Sequence, residues 1–207
     1  MNSERGTVNF QTMKLIQITD LHVGKIGDDS YGVNVRQNFL DVLEAVKAEN
    51  PDRIVISGDL CLHDGEPEVY EWIKGHLDKS GLPFDIISGN HDNAAQIAEC
   101  FGLNEFLTDG QLFFKKKYDN QTFLFLDTTD YTLPETQLIW LEKELKNLNE
   151  ELIIFIHHPP VKSGVPFMDN KYFFIELLCS LFKVTQTLKV NYTDQFICRS
   201  LKVNYKV

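Results

Sequence analysis

The strongest constraint on this chain is an arrangement that occurs four times: a short apolar run, rich in Ile, that stops at a small polar cluster. Residues 14–19 (KLIQIT) end at Asp20-Leu21-His22 and residues 53–57 (RIVIS) at Gly58-Asp59. Residues 84–88 (FDIIS) end at Gly89-Asn90-His91-Asp92, and residues 152–156 (LIIFI) at His157-His158-Pro159-Pro160. Continuous apolar runs of this length, separated by helical patterns, read as buried strands of an α/β sheet. In such sheets the ligand site lies beyond the carboxyl ends of the strands. Four clusters far apart in sequence are therefore expected to meet at one rim.

Between the runs lie amphipathic helices. Phe39, Val42, Leu43 and Val46 fall on one helical face, as do Leu138, Leu141, Leu145 and Leu148 behind Pro134, a favourable first-turn residue. Residues 66–79 and 94–100 are weaker helix candidates. Residues 111–118 and 121–127, separated by Asp119-Asn120, read as a hairpin whose turn lacks the usual Gly. The order β, α, β, α, β, α, hairpin, α, β predicts a mainly parallel sheet with an antiparallel addition.

This order divides the chain into a flexible leader (1–12), a core (13–182) and an atypical C-terminal tail (183–207). The leader is polar and unpatterned, and residues 169–182 read as helical. The tail carries a near-repeat, Leu188-Lys189-Val190-Asn191-Tyr192 and Leu201-Lys202-Val203-Asn204-Tyr205. It reads either as the two strands of a terminal hairpin or as a tail other than the one the core evolved with.

Composition excludes several classes. The 207 residues suit one domain with a sizeable core. No apolar run reaches the length of a membrane span, and the first residues hold no hydrophobic signal core, so a soluble, cytoplasmic protein is expected. The four cysteines show no paired spacing, which argues for reduced thiols rather than a zinc ribbon or a disulfide framework. A net charge of −10 disfavours a nucleic-acid polymer as partner. It does not disfavour a small anionic substrate, because bound cations would dominate the charge of the pocket.

The clusters themselves carry oxygen and nitrogen donors. Asp, His and Asn together suit Mn, Fe or Zn rather than a calcium cage or a thiolate site. Asp20 and His22, two apart at a strand end, can face one ion, and Asp59 adds a carboxylate able to bridge two. Gly58 ahead of it permits close backbone approach. Asn90 offers a neutral carbonyl ligand, with His91 beside it able to reach a substrate oxygen. His157, nearest its strand end, is the better ligand of its pair, and His158 takes a supporting or substrate-facing role. Asp127 is expected to be structural, His76 to lie at the surface, and His63 to stand outside the pattern.

These blocks resemble those of the calcineurin-like metallophosphoesterases, whose pattern runs DxH, GD, GNH[DE], H and GHxH. The finer features GDLCLHDGEPEVY (58–70), FLDTTD (125–130), LPETQLIWLEKEL and HHPPVKSGVPFMD (157–169) are most similar to the class III cyclic-nucleotide phosphodiesterase branch. The resemblance implies a four-layer α/β/β/α sandwich and two metal ions. Asp20 and His22 would bind the first, Asp59 would bridge, and Asn90 and His157 would bind the second. His91 would be catalytic, with a phosphodiester hydrolysed by attack of a metal-bridging hydroxide.

The same resemblance implies that Asp64 or Asp92 orients His91. The chain departs from the family at the last block: no GHxH follows His158, and residues 195–202 stand in its place. Three protein ligands per ion, strands missing from the second sheet, and an exposed edge through which copies could associate are the expected consequences. Action on a phosphomonoester, or service as a non-catalytic scaffold, are the alternatives on the same fold.

Overall fold

The computed structural model describes residues 13–28, 30–119, 121–146 and 152–158, and the backbone of 189–193 and 196–203. Strands β1 (Leu15–Ile18), β2 (Arg53–Ser57) and β3 (Phe84–Ile87) form a parallel sheet in that order, linked by α1 (Val35–Ala48) and α2 (Pro67–Ser80). Helix α1 begins where the Asn34 side chain accepts the Gln37 N–H, and it buries Phe39, Leu43 and Val46. Helix α2 carries Pro67 in its first turn and stops at Gly81, whose φ of 71° is left-handed. Helix α3 (Ala94–Phe101), capped by Asn93, follows the third polar cluster directly.

The expected first hairpin strand is divided. β4 (Leu107–Thr108) pairs with β5 (Gln111–Leu112), and β6 (Phe114–Tyr118) then pairs with β7 (Gln121–Leu126). Tyr118 faces Gln121 across the turn, where Asp119 takes the left-handed conformation (φ 50°) that a Gly would usually supply. The chain continues through α4 (Glu135–Lys146) to β8 (Leu152–Ile156), which runs parallel to β7.

The tail contributes β9 (Lys189–Thr193) and β10 (Phe196–Val203), an antiparallel hairpin laid along β8. The near-repeat partly pairs with itself, Leu201 with Val190 and Lys202 with Lys189. The second sheet thus has the order β6-β7-β8-β10-β9, so β8 is paired on both sides and the outer edge is β9. The tail takes the terminal-hairpin reading, and among the described residues β9 stands at the edge of the sheet. The leader, Leu148 and the helix expected at 169–182 lie outside the described residues.

Period-2 alternation in β7 and β8 sets the layers. Phe123, Phe125 and Phe155 face the first sheet and pack with Phe114, Ile54 and Val55 in one core. Leu124, Leu126, Leu152, Ile154 and Ile156 face the other way, onto Leu141 and Leu145 of α4. The result is α/β/β/α, with the carboxyl ends of β1, β2, β3 and β8 each leading into one of the polar clusters. Among the described residues no helix is long and apolar enough to cross a membrane.

Candidate metal centre

The loops leaving β1 and β2 are stitched together residue by residue. Asp20 N–H donates to the Gly58 carbonyl (3.1 Å), His22 N–H to that of Asp59 (2.9 Å) and Val23 N–H to that of Leu60 (2.9 Å). Asp20 (φ 56°), His22 (φ 44°) and Asp59 (φ 53°) all hold left-handed backbone. Side chains other than Gly rarely adopt it, at a cost of about 1–3 kcal/mol each, and such strain collects at functional sites. Gly58 (φ 99°) and Gly89 meet back to back: a Cβ on Gly58 would stand 2.7 Å from His157 Nδ1 and 2.8 Å from Gly89 N.

The donor atoms fall into two triads that share one carboxylate. Asp20, Asp59 and His157 form one and His22, Asp59 and His91 the other, with all ligand atoms of each triad within 4.8 Å of one another. His22 Nε2 lies 3.6 Å from Asp59 Oδ2 and 4.0 Å from Asp20 Oδ1, and His157 Nε2 lies 3.3 Å from Asp59 Oδ1. Among the described residues the buried Asp20 Oδ2 has no hydrogen-bond partner. An orphaned carboxylate oxygen beside imidazole nitrogens, and a carboxylate common to two triads, fit a pair of metal ions.

Backbone carbonyls orient two of the histidines. His157 Nδ1 donates to the Ser57 carbonyl and His91 Nδ1 to that of Leu62, both at 2.9 Å, which leaves each Nε2 for the centre. The expected orienting carboxylate is thereby corrected. Asp64 is exposed, Asp92 is engaged elsewhere, and the group that holds His91 is a main-chain oxygen. His158 supports Asn90, with Nε2 2.9 Å from Asn90 Oδ1, while its Nδ1 lies 2.8 Å from Thr128 Oγ1.

Asp92 clamps the β2 and β3 loops. Its carboxylate accepts the N–H groups of Leu60, Cys61 and Gly89 and the Tyr70 hydroxyl, and Tyr70 in turn accepts the Asn93 N–H. Burial pushes this carboxyl up to about 6 against the pull of those donors. Asp127 is buried and accepts the N–H groups of Leu112 and Thr129, the structural role expected of it. His63 is exposed, and His76 is half-buried with its ring 4.5 Å from that of Trp72.

Charge at the centre is concentrated on Asp59. Burial opposes its ionisation, but the hydrogen bond and charge of His157, the His91 N–H and His22 prevail and hold it at about 2. His157 moves the other way: burial lowers it, and the stronger pull of Asp59 leaves it raised.

Comparison with known proteins agrees with this architecture. Residues 13–187 match the family profile described as "Calcineurin-like phosphoesterase". A Fibrobacter succinogenes protein named "Probable cyclic nucleotide phosphodiesterase" is 33% identical over 168 residues, covering 81% of this chain and 65% of that protein. An Arcobacter nitrofigilis protein named "Probable glycerophosphodiester phosphodiesterase" is 29% identical over 167 residues, covering 76% of this chain and 61% of that protein. The chain thus spans under two thirds of the length of these relatives. The crystal structure of a dimetal phosphatase from Danio rerio superposes with a TM-score of 0.61 at 14% identity, over 83% of this chain and 77% of that one, a likeness of fold. With its strand-end clusters gathered at one rim and its profile match extending from the first strand into the tail, the chain belongs to the calcineurin-like phosphoesterases.

Proposed function

We propose that the chain is a metal-dependent phosphodiesterase acting on a small phosphoester, with Asp20, His22, Asp59, Asn90 and His157 as metal ligands. The observation that carries this reading is the Asp59 carboxylate, which turns one oxygen to His157 Nε2 (3.3 Å) and the other to His22 Nε2 (3.6 Å). Two ions of Mn, Fe or Zn held there would supply Lewis-acid stabilisation of phosphoryl charge and an acidified water.

The protein groups have separable tasks. Asp59 stays ionised at neutral pH, and one buried carboxylate oxygen of Asp20 has no hydrogen-bond partner among the described residues. His157, fixed through Nδ1, presents Nε2 to the centre. His91, held by the Leu62 carbonyl, presents Nε2 beside His22, with ring centroids 4.9 Å apart. Protonated, that nitrogen donates to the leaving alkoxide oxygen, and His91 is the catalytic residue of this reading.

Support for a diester comes from the names of the relatives. One is called a cyclic-nucleotide and the other a glycerophosphodiester phosphodiesterase, and a phosphodiester is what the two names have in common.

The test is turnover of bis(p-nitrophenyl) phosphate against p-nitrophenyl phosphate by protein loaded with Mn²⁺. Faster, metal-dependent hydrolysis of the diester, lost in His91→Ala without loss of bound metal, is expected. Absence of metal-dependent turnover overturns the reading, preference for the monoester redirects it, and loss of metal in His91→Ala makes His91 a ligand.

A further inference from the structure

We propose that Thr128 and His158 act as a positioning pair that fixes the side-chain amide of Asn90, a role that rests on the reading of Asn90 as a metal ligand. The three residues come from the ends of three strands, β7, β8 and β3, and the two that position Asn90 are buried, Thr128 at 0% and His158 at 1% exposure.

The direction of each hydrogen bond follows from what the atoms can do. Asn90 Oδ1 is a carbonyl oxygen and only accepts, so the 2.9 Å contact requires the proton on His158 Nε2. Nδ1 of the neutral ring is then an acceptor, and the Thr128 hydroxyl donates to it at 2.8 Å. Thr128 Oγ1 also accepts the His158 backbone N–H at 3.4 Å, which leaves its own proton free to point at the ring. The Tyr131 ring, 4.7 Å from that of His158, packs against the imidazole.

The opposite tautomer would set the Nε2 lone pair against the Oδ1 lone pair. The amide would turn over, presenting its NH₂ to His158 and moving the only ligating atom of Asn90. The Thr128 hydroxyl therefore decides, through His158, which atom Asn90 offers. Oδ1 has a second lone pair, and one hydrogen bond leaves it available for an ion.

Two measurements test this. In metal-free protein at pH 8, long-range ¹H–¹⁵N spectra of the imidazoles should place the His158 proton on Nε2. In Thr128→Val the proton should distribute between both nitrogens, and Mn²⁺ affinity by calorimetry should fall roughly tenfold, as for other residues that orient ligands. Thr128→Ser, which keeps the hydroxyl, should restore both. A His158 proton on Nδ1 in the wild type, or a folded Thr128→Val with unchanged Mn²⁺ affinity and tautomer, would overturn the proposal. If the wild type binds no Mn²⁺, the ligand reading of Asn90 falls, while the tautomers of wild type and Thr128→Ser still decide the pairing.

Discussion

Asp59 stands against three histidines at once. Its Oδ1 accepts the His91 N–H at 2.9 Å and faces His157, while Oδ2 faces His22. In the metal-free protein this fixes a pH window. Asp59 has a folded value of about 2, below the ordinary value of about 3.9, so its contribution is complete above pH ~4 and is lost as pH falls through about 2. His157 is shifted upward, so its contribution is present below its ordinary value and is lost as pH rises through the raised one. The pair therefore stabilises the fold most between these limits, by about 2 kcal/mol. Urea midpoints of wild type and Asp59→Asn from pH 2 to 9 should differ most in mid-range and converge towards both ends. A difference independent of pH would contradict the coupling.

At the scale of elements, the unit that matters is the strand with its polar exit loop, and the Asp92 clamp ties two such loops together. An amide in its place offers one acceptor oxygen and turns an NH₂ towards backbone N–H donors. Asp92→Asn should therefore cost about 2–3 kcal/mol and weaken Mn²⁺ binding with it, because the same loops carry Asp59 and Asn90. Thermal melting and calorimetry on one sample check both, and a lowered melting temperature with intact metal affinity would separate the clamp from the centre.

This scale also divides what the sequence made legible from what it did not. Strands 53–57 and 152–156 end where their apolar runs end, because burial on both faces leaves an unbroken mark. The weaker candidate at 66–79 forms as α2 because Pro67 and Gly81 fix its ends, although its apolar spacing is less regular. The partner of His91 was hidden because it is the Leu62 carbonyl, a group every residue carries. Thr128 went unmarked beside the conspicuous Asp127. Asp92 sits in the motif, but only the fold shows its carboxylate turned away from the histidine, onto the backbone of the neighbouring loop.

For the whole molecule, the two sheets are held at the end opposite the centre by charge as well as by aromatic packing. Asp85 on β3, its side chain wholly buried, accepts from Lys116 (2.7 Å) and Tyr118 (2.8 Å) on β6 and from Arg53 (3.2 Å), whose guanidinium lies 3.8 Å from the centroid of the Tyr118 ring. Its removal takes the shared carboxylate from the half-buried Lys116 and Arg53, so Asp85→Ala should cost about 2–3 kcal/mol and lower the melting temperature by roughly 5–10 °C. A shift of a degree or two would show that the aromatic layer, Phe114, Phe123, Phe125 and Phe155, suffices to hold the sheets together.

The central claim is that one carboxylate, Asp59, serves two ion sites where the strand-end loops of both sheets meet. Calorimetric titration of metal-free protein with Mn²⁺, run for wild type and Asp59→Asn, tests it most directly. Two ions per chain in the wild type, with both lost or weakened at least roughly 100-fold in the variant, is the predicted result. A single ion per chain, or a variant that keeps one site at wild-type affinity, would contradict it.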